Sequence, residues 1–175
     1  MLIGGVLLFA QPFLTNLYAD WKQSHLRDEL GSAQNRADYR AGTLVPGDAM
    51  TRLRIPRLGV DTIVVEGGSN AALRAGAGHY PETALPCEEG NAAIAGHRTT
   101  YSKPFAQLDR LRPGDRIVLE TPIGRCEYRV RGRPWITHPR DGSVLKRLEG
   151  SWLTLTTCHP PGSAAQRLIV RAELV

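Results

Sequence analysis

A chain of 175 residues, 42% hydrophobic and 22% charged, has the make-up of one globular domain with an appendage. Its formal charge is +5 and its pI is near 9.4, and apart from Lys22, Lys103 and Lys146 the basic residues are arginines. Nucleic-acid recognition asks for clustered cations interleaved with aromatics, whereas Arg52, Arg54, Arg57, Arg129, Arg131 and Arg133 are strung along alternating strand-like runs. That layout argues for a solvated sheet face and against a nucleic-acid partner, while a basic surface suits an anionic membrane or envelope polymer.

In chain order, residues 1–10 are apolar or glycine before Gln11, Pro12 and Asn16 interrupt, so residues 1–18 barely reach the length of a membrane span. No basic residue precedes the run, as a cleaved secretory signal would require, and 1–18 is expected as a membrane-anchor segment. Lys22 and Arg27 follow the run, which by charge alone would place the domain in the cytoplasm. Residues 19–50 are polar and mixed in charge, and they are expected as a juxtamembrane helix and linker. The globular domain is expected over 51–175.

From Thr51 onward, short strand-like runs are punctuated by Gly and Pro. The segments "MTRLRIPRLGV" and "DTIVVEGG" predict two strands, and "SNAALRAG" one helical turn capped by Ser69 or Asn70. "GHYPET" and "GNAAIAGHR" predict further strands, and "KPFAQLDRLRPGD" a short helix closed by a Pro-Gly turn. "RIVLETPIGRCEYRVRG" reads as a hairpin with its tip at Pro122 to Gly124, and "GSVLKRLEG" as a small helix. "SWLTLTTC" and "RLIVRAELV" form the last pair of strands. Many short strands at regular spacing with few short helices predict an all-β fold, a closed barrel of seven to eight strands.

Three cysteines, Cys87, Cys126 and Cys158, show no spacing of a zinc site. Cys87 and Cys126 either bridge or pack as two small buried hydrophobes. Cys158 ends a strand, and a thiol becomes an effective nucleophile only with a base or cation beside it. His159 follows it directly and in extended chain points to the opposite face. His25 lies in the juxtamembrane segment and His138 in a loop, which leaves His79 and His97. His97 closes the apolar run "AAIAGH", where Gly96 permits a close backbone approach. Arg167 opens the last strand nine residues after Cys158, so a tight connection would return it to the same rim. A guanidinium there can donate to a developing oxyanion. Thiol, imidazole and guanidinium together make an acyl-transfer set, although each of the three also has an ordinary structural explanation.

"TLTTC" followed by the Arg of "RLIV", with "AGHR" about sixty residues upstream, resembles the sortases, membrane-anchored cysteine transpeptidases of Gram-positive bacteria. The resemblance runs from about Thr51 to Val175, and "AGHRTTY" and "TTCHPPGSAAQRLIV" are most similar to class E sortases of high-GC actinobacteria. It implies a sortase-type barrel with Cys158 as nucleophile, His97 as general acid toward the leaving amine, and Arg167 steadying substrate and tetrahedral intermediates. It further implies that Thr157 lines the site and that Tyr101 helps to read the second position of the motif. The implied partners are proteins bearing a C-terminal LAxTG or LPxTG sorting motif, an amine on a peptidoglycan precursor or other acceptor, and a membrane with the catalytic domain outside it. No cofactor or metal is implied; Glu88 and Glu89 read as a solvated loop. The segment "ADW" at 19–21 lacks the proline of a pilin-type lid motif, so an open site and a housekeeping role are expected. The alternatives are a cysteine hydrolase that releases to water, a pilin-polymerising sortase, and a non-catalytic barrel that binds envelope peptides.

Overall fold

In a computed structural model the backbone is described for residues 2–175 and side chains from Asn16 onward. Nine strands form one sheet: β1 (Ala49–Ile55), β2 (Val60–Glu66), β3 (Ala77–His79), β4 (Gly90–Gly96), β5 (Arg116–Thr121), β6 (Gly124–Val130), β7 (Trp135–Thr137), β8 (Ser151–His159) and β9 (Gln166–Leu174). The order is β6-β5-β1-β2-β3-β4-β8-β9-β7, and a β6–β9 pairing closes eight of the strands into a barrel. Closure removes the exposed edges that an open sheet of this size would present. The expected barrel is therefore present, with β7 added against β9 outside the closed ring. Strand alternation fills the interior: Leu53, Ile55, Ile94, Leu119, Leu155 and Val170 belong to one buried cluster.

The arginines of the outer face pair with carboxylates. Arg52 meets Asp61 at 2.6 Å, Arg54 meets Glu120, and Arg116 and Arg129 share Glu127 at 2.6 and 2.7 Å. Exposed pairs of this kind add little stability, and they account for the strand-borne arginines as a solvated face.

Two predicted helices are no more than single 3-10 turns, at Leu108–Arg110 and Gly142–Leu145. In the first, Phe105, Leu108 and Leu111 are all buried. A spacing of three suits three residues per turn rather than 3.6. The turn at Ser69 behaves as expected: helix α3 (Asn70–Ala75) is capped by the Ser69 hydroxyl, which accepts from Ala72 N. (α1 and α2 denote the two helices ahead of β1.)

Residues 19–50 are bound tightly to the barrel. Helix α1 (Leu2–Leu30) buries Ala19, Gln23 and Leu26, spaced to lie on one helical face. The Gln23 amide donates from Nε2 to Ile63 O (3.0 Å) and Ala75 O (2.7 Å), and its Oε1 accepts from Ile63 N (2.6 Å). The side chain thus pairs with β2 where β3 no longer does, as a neighbouring strand would. Glu29 Oε1 accepts from Ala49 N at 2.7 Å, and Asn35 of α2 (Ala33–Ala41) donates to Ala49 O at 2.8 Å. Polar residues that look like a solvated connection are backbone partners of the barrel. The membrane-anchor expectation for 1–18 falls mainly on side chains outside the described residues; among the described residues no helix is long and apolar enough to cross a membrane.

Cys87 and Cys126 form a disulfide with a Cα–Cα distance of 5.7 Å, which resolves the two readings of these residues. It fastens the β3–β4 connection to β6 across 39 residues of sequence, and in the chain-entropy account such a loop closure contributes about 4 kcal/mol.

Candidate active site

The site follows from two registers. β4 and β8 run parallel with Ala95 opposite Thr156, so two further residues along the register bring His97 level with Cys158 at the ends of neighbouring strands. On the other flank, antiparallel β9 places Arg167 directly opposite Cys158. Residues in register share a face, so imidazole, thiol and guanidinium stand in one row across three strands. Gly96 allows this arrangement: a Cβ there would lie 2.6 Å from Phe105 Cδ2. Phe105 is fully buried, and its N–H donates to His97 O at 3.1 Å.

Alternation along β8 decides which face is reactive. Leu153 and Leu155 point into the core, so Thr154, Thr156 and Cys158 face outward. Thr157, expected to line the site, faces inward by the same rule. It is buried, and its Oγ1 donates to Gly96 O at 2.8 Å, which ties the ends of the two strands together. Thr156 does the lining instead. It borders a cavity of about 200 Å³ together with Tyr80, Val144, Leu145, His138 and Arg167. A larger cavity of about 480 Å³ between α1 and the barrel contains none of His97, Cys158 and Arg167.

Burial holds His97 below the usual histidine range, and the Arg74 guanidinium adds to the effect. The Tyr101 ring packs 5.2 Å from His97 and lies under Arg74, 5.9 Å from its centroid. Arg74→Gln removes the repulsion. The His97 titration midpoint is therefore expected to move upward, raising the imidazolium fraction at neutral pH, as read by proton NMR; an unchanged midpoint would assign the depression to burial alone.

Cys158 is the one free cysteine, partly buried at the rim. Arg167 is positioned by its own loop, donating from Nη1 to Ala164 O and Gln166 O, each at 3.0 Å. Burial raises the pKa of the Tyr80 phenol, Arg167 opposes the rise, Glu82 and Cys158 reinforce it, and Tyr80 lines the same cavity as Arg167. Nothing in "GHYPET" marks Tyr80 as part of the site, because a loop tyrosine has many ordinary uses.

Arg98 also escapes sequence reasoning, since one more arginine in an arginine-rich chain carries no signal. It is buried, and it donates to His159 Nδ1 at 2.8 Å, to Cys158 O at 3.4 Å and to Asp109 at 3.0 Å. This guanidinium therefore braces the residue after His97 against the strand end that carries Cys158. It also occupies His159 Nδ1. His79 is sequestered: its Nδ1 lies 3.1 Å from Glu66 Oε2 and its Nε2 2.9 Å from Ala84 O. Among the described residues no group of three His, Cys, Asp or Glu side chains could hold a metal ion.

Comparison with known proteins agrees with this geometry. Residues 53–175 match the family model described as the sortase domain. Sortase E1 of Streptomyces coelicolor is 33% identical over 187 residues, covering 97% of this chain, while the chain spans 53% of that protein's length. A crystal structure of the same sortase E1 with a tripeptide in its active site superposes with a TM-score of 0.69 at 34% identity, covering 75% of this chain and 91% of that one. A sortase D5 transpeptidase of Clostridium perfringens superposes with a TM-score of 0.76 at 28% identity, covering 89% and 97%. The barrel, the row of three candidate residues at its rim and the match over most of the chain lead to one conclusion: this chain belongs to the sortase family.

Proposed function

We propose that the protein is a cysteine transpeptidase that cleaves a C-terminal sorting motif of LAxTG or LPxTG type between Thr and Gly. The acyl group is then passed to a cell-wall amine, in housekeeping anchoring of proteins. The observation that carries this reading is the row of His97, Cys158 and Arg167 at the end of an outward cavity. The Cys158 thiolate attacks the threonine carbonyl carbon, and the Arg167 guanidinium stabilises the oxyanion. Collapse of the tetrahedral intermediate breaks the Thr–Gly bond as imidazolium His97 gives its proton to the departing amine. The resulting thioester is attacked by the acceptor amine, which loses a proton to His97, and the thiolate leaves. Only molecules holding thiolate and imidazolium together react, which makes the pH–rate profile a bell.

The apolar wall of Val144 and Leu145 supports this reading for the leucine of the motif, and the packing of Tyr101 on His97 supports a role for that ring at its second residue. The peptide held by the related sortase E1 supports a peptide substrate here. The Cys87–Cys126 disulfide supports a place outside the cytoplasm, where such bonds persist, and the apolar residues 1–10 support attachment to a membrane.

The test is incubation with an LAxTG peptide and a glycine amide, with products identified by mass spectrometry. A new amide between threonine and the glycine amine is expected, with the thioester captured on Cys158. Free acid alone would make the protein a hydrolase, and an untouched peptide would reject the reading.

A further inference from the structure

The wall of the cavity is a loop, 138–150, that a barrel of this kind has no intrinsic reason to hold still. Three side chains from the outer faces of β4, β8 and β9 reach into it. Asn91 is buried and donates from Nδ2 to Val144 O at 2.9 Å and to Lys146 O at 3.1 Å. Its Oδ1 accepts from the buried Thr154 hydroxyl at 2.7 Å. Arg171 donates from Nη2 to the same Val144 O at 3.3 Å and approaches Thr154 Oγ1 at 3.5 Å. Its guanidinium lies over the Trp135 ring, 5.3 Å from the centroid. Burial lowers the pKa of Arg171, and no carboxylate pairs with it among the described residues.

A half-buried guanidinium without a carboxylate, next to a fully used buried amide, is a costly arrangement for a barrel wall. Stability alone would be served as well by apolar residues at these positions. The distinctive product of the arrangement is the location of Val144. Its carbonyl is held from two sides, and its side chain, with that of Leu145, lines the cavity that ends at Arg167. The three strands that supply the clamp are the ones that carry His97, Cys158 and Arg167.

We infer that Asn91 and Arg171 are positioning residues for substrate recognition: through Thr154 they lock the 142–146 stretch so that Val144 and Leu145 form a preset wall for the apolar residue of the sorting motif. The inference rests on the proposed peptide groove. A preset wall lowers the ordering cost of binding, so its loss weakens capture of the peptide and leaves the chemistry at sulfur intact.

The experiment uses the full chain and the variants Asn91→Ala and Arg171→Lys, the second retaining charge and bulk should the first fold poorly. For an LAxTG peptide, KM is expected to rise about tenfold in Asn91→Ala, the scale of losing buried hydrogen bonds. Its kcat and the rate of Cys158 alkylation by iodoacetamide stay within about twofold, because neither depends on the wall. Amide hydrogen exchange over 142–147 is expected to quicken about tenfold, with β4 and β8 unchanged. Wild-type KM in both variants, or a parallel fall of kcat and alkylation rate, overturns the inference. Unchanged loop exchange overturns it even if no sorting peptide is turned over, a result that would separately reject the proposed function.

Discussion

Cys158→Ala is expected to lower the rate of peptide cleavage and transfer by at least about 10⁴-fold, because covalent capture is lost and the remaining groups cannot substitute for a nucleophile. The fold should not register the change. The side chain is only partly buried, it lies outside the core cluster, and β8 keeps its full pairing with β4 and β9. Thermal unfolding within about 2 °C of wild type is the expected companion result, in line with substitutions that create no core cavity. Mass spectrometry of protein incubated with the peptide should show the thioester in wild type and none in the variant. Residual transfer above a hundredth of the wild-type rate would reject Cys158 as the nucleophile.

Gly96→Ala should damage stability and activity together. The added methyl would sit within 3 Å of three ring carbons of Phe105, which is fully buried in the core cluster. Overpacking of this kind costs about 1–3 kcal/mol, which in a chain of this size lowers the thermal midpoint by roughly 3–10 °C. Function suffers by a second route. Phe105 is hydrogen-bonded to the carbonyl of His97, and Thr157 to the carbonyl of Gly96. Relief of the clash therefore moves the imidazole relative to the thiol, and a misplacement of about 1 Å is worth up to a hundredfold in rate. The double variant Gly96→Ala, Phe105→Leu should recover most of the midpoint. Full activity in the single variant would show that the strand end tolerates displacement.

The barrel was legible because its strands are short, alternating and bounded by turn residues. "SWLTLTTC" announces β8, and the same alternation, followed one residue further, would have separated outward Thr156 from inward Thr157. Strand β7 escaped notice because three residues between prolines carry no period. The N-terminal helices look like a solvated connection in sequence, since Gln23, Glu29 and Asn35 are ordinary polar residues until the unpaired backbone of Ile63 and Ala49 is placed beside them. Cys87 and Cys126 stand 39 residues apart with no motif spacing, so only the fold could pair them. Arg98 and Asn91 were hidden for the same reason: their partners lie about sixty residues away in sequence.

The attachment of α1 through Gln23 has a mechanical meaning. A continuous helix rises about 1.5 Å per residue, so the 29 residues of α1 make a strut about 43 Å long. The strut is locked to the barrel wall at Gln23, Leu26 and Glu29, and again at the loop after His97, where Asn16 and Asp20 accept from Ser102. Fastened at these points, the strut and the barrel move as one, and the bearing of the candidate rim is fixed by the helix. On the proposed function, the sorting-motif protein would then do the searching, because the barrel turns only with its strut.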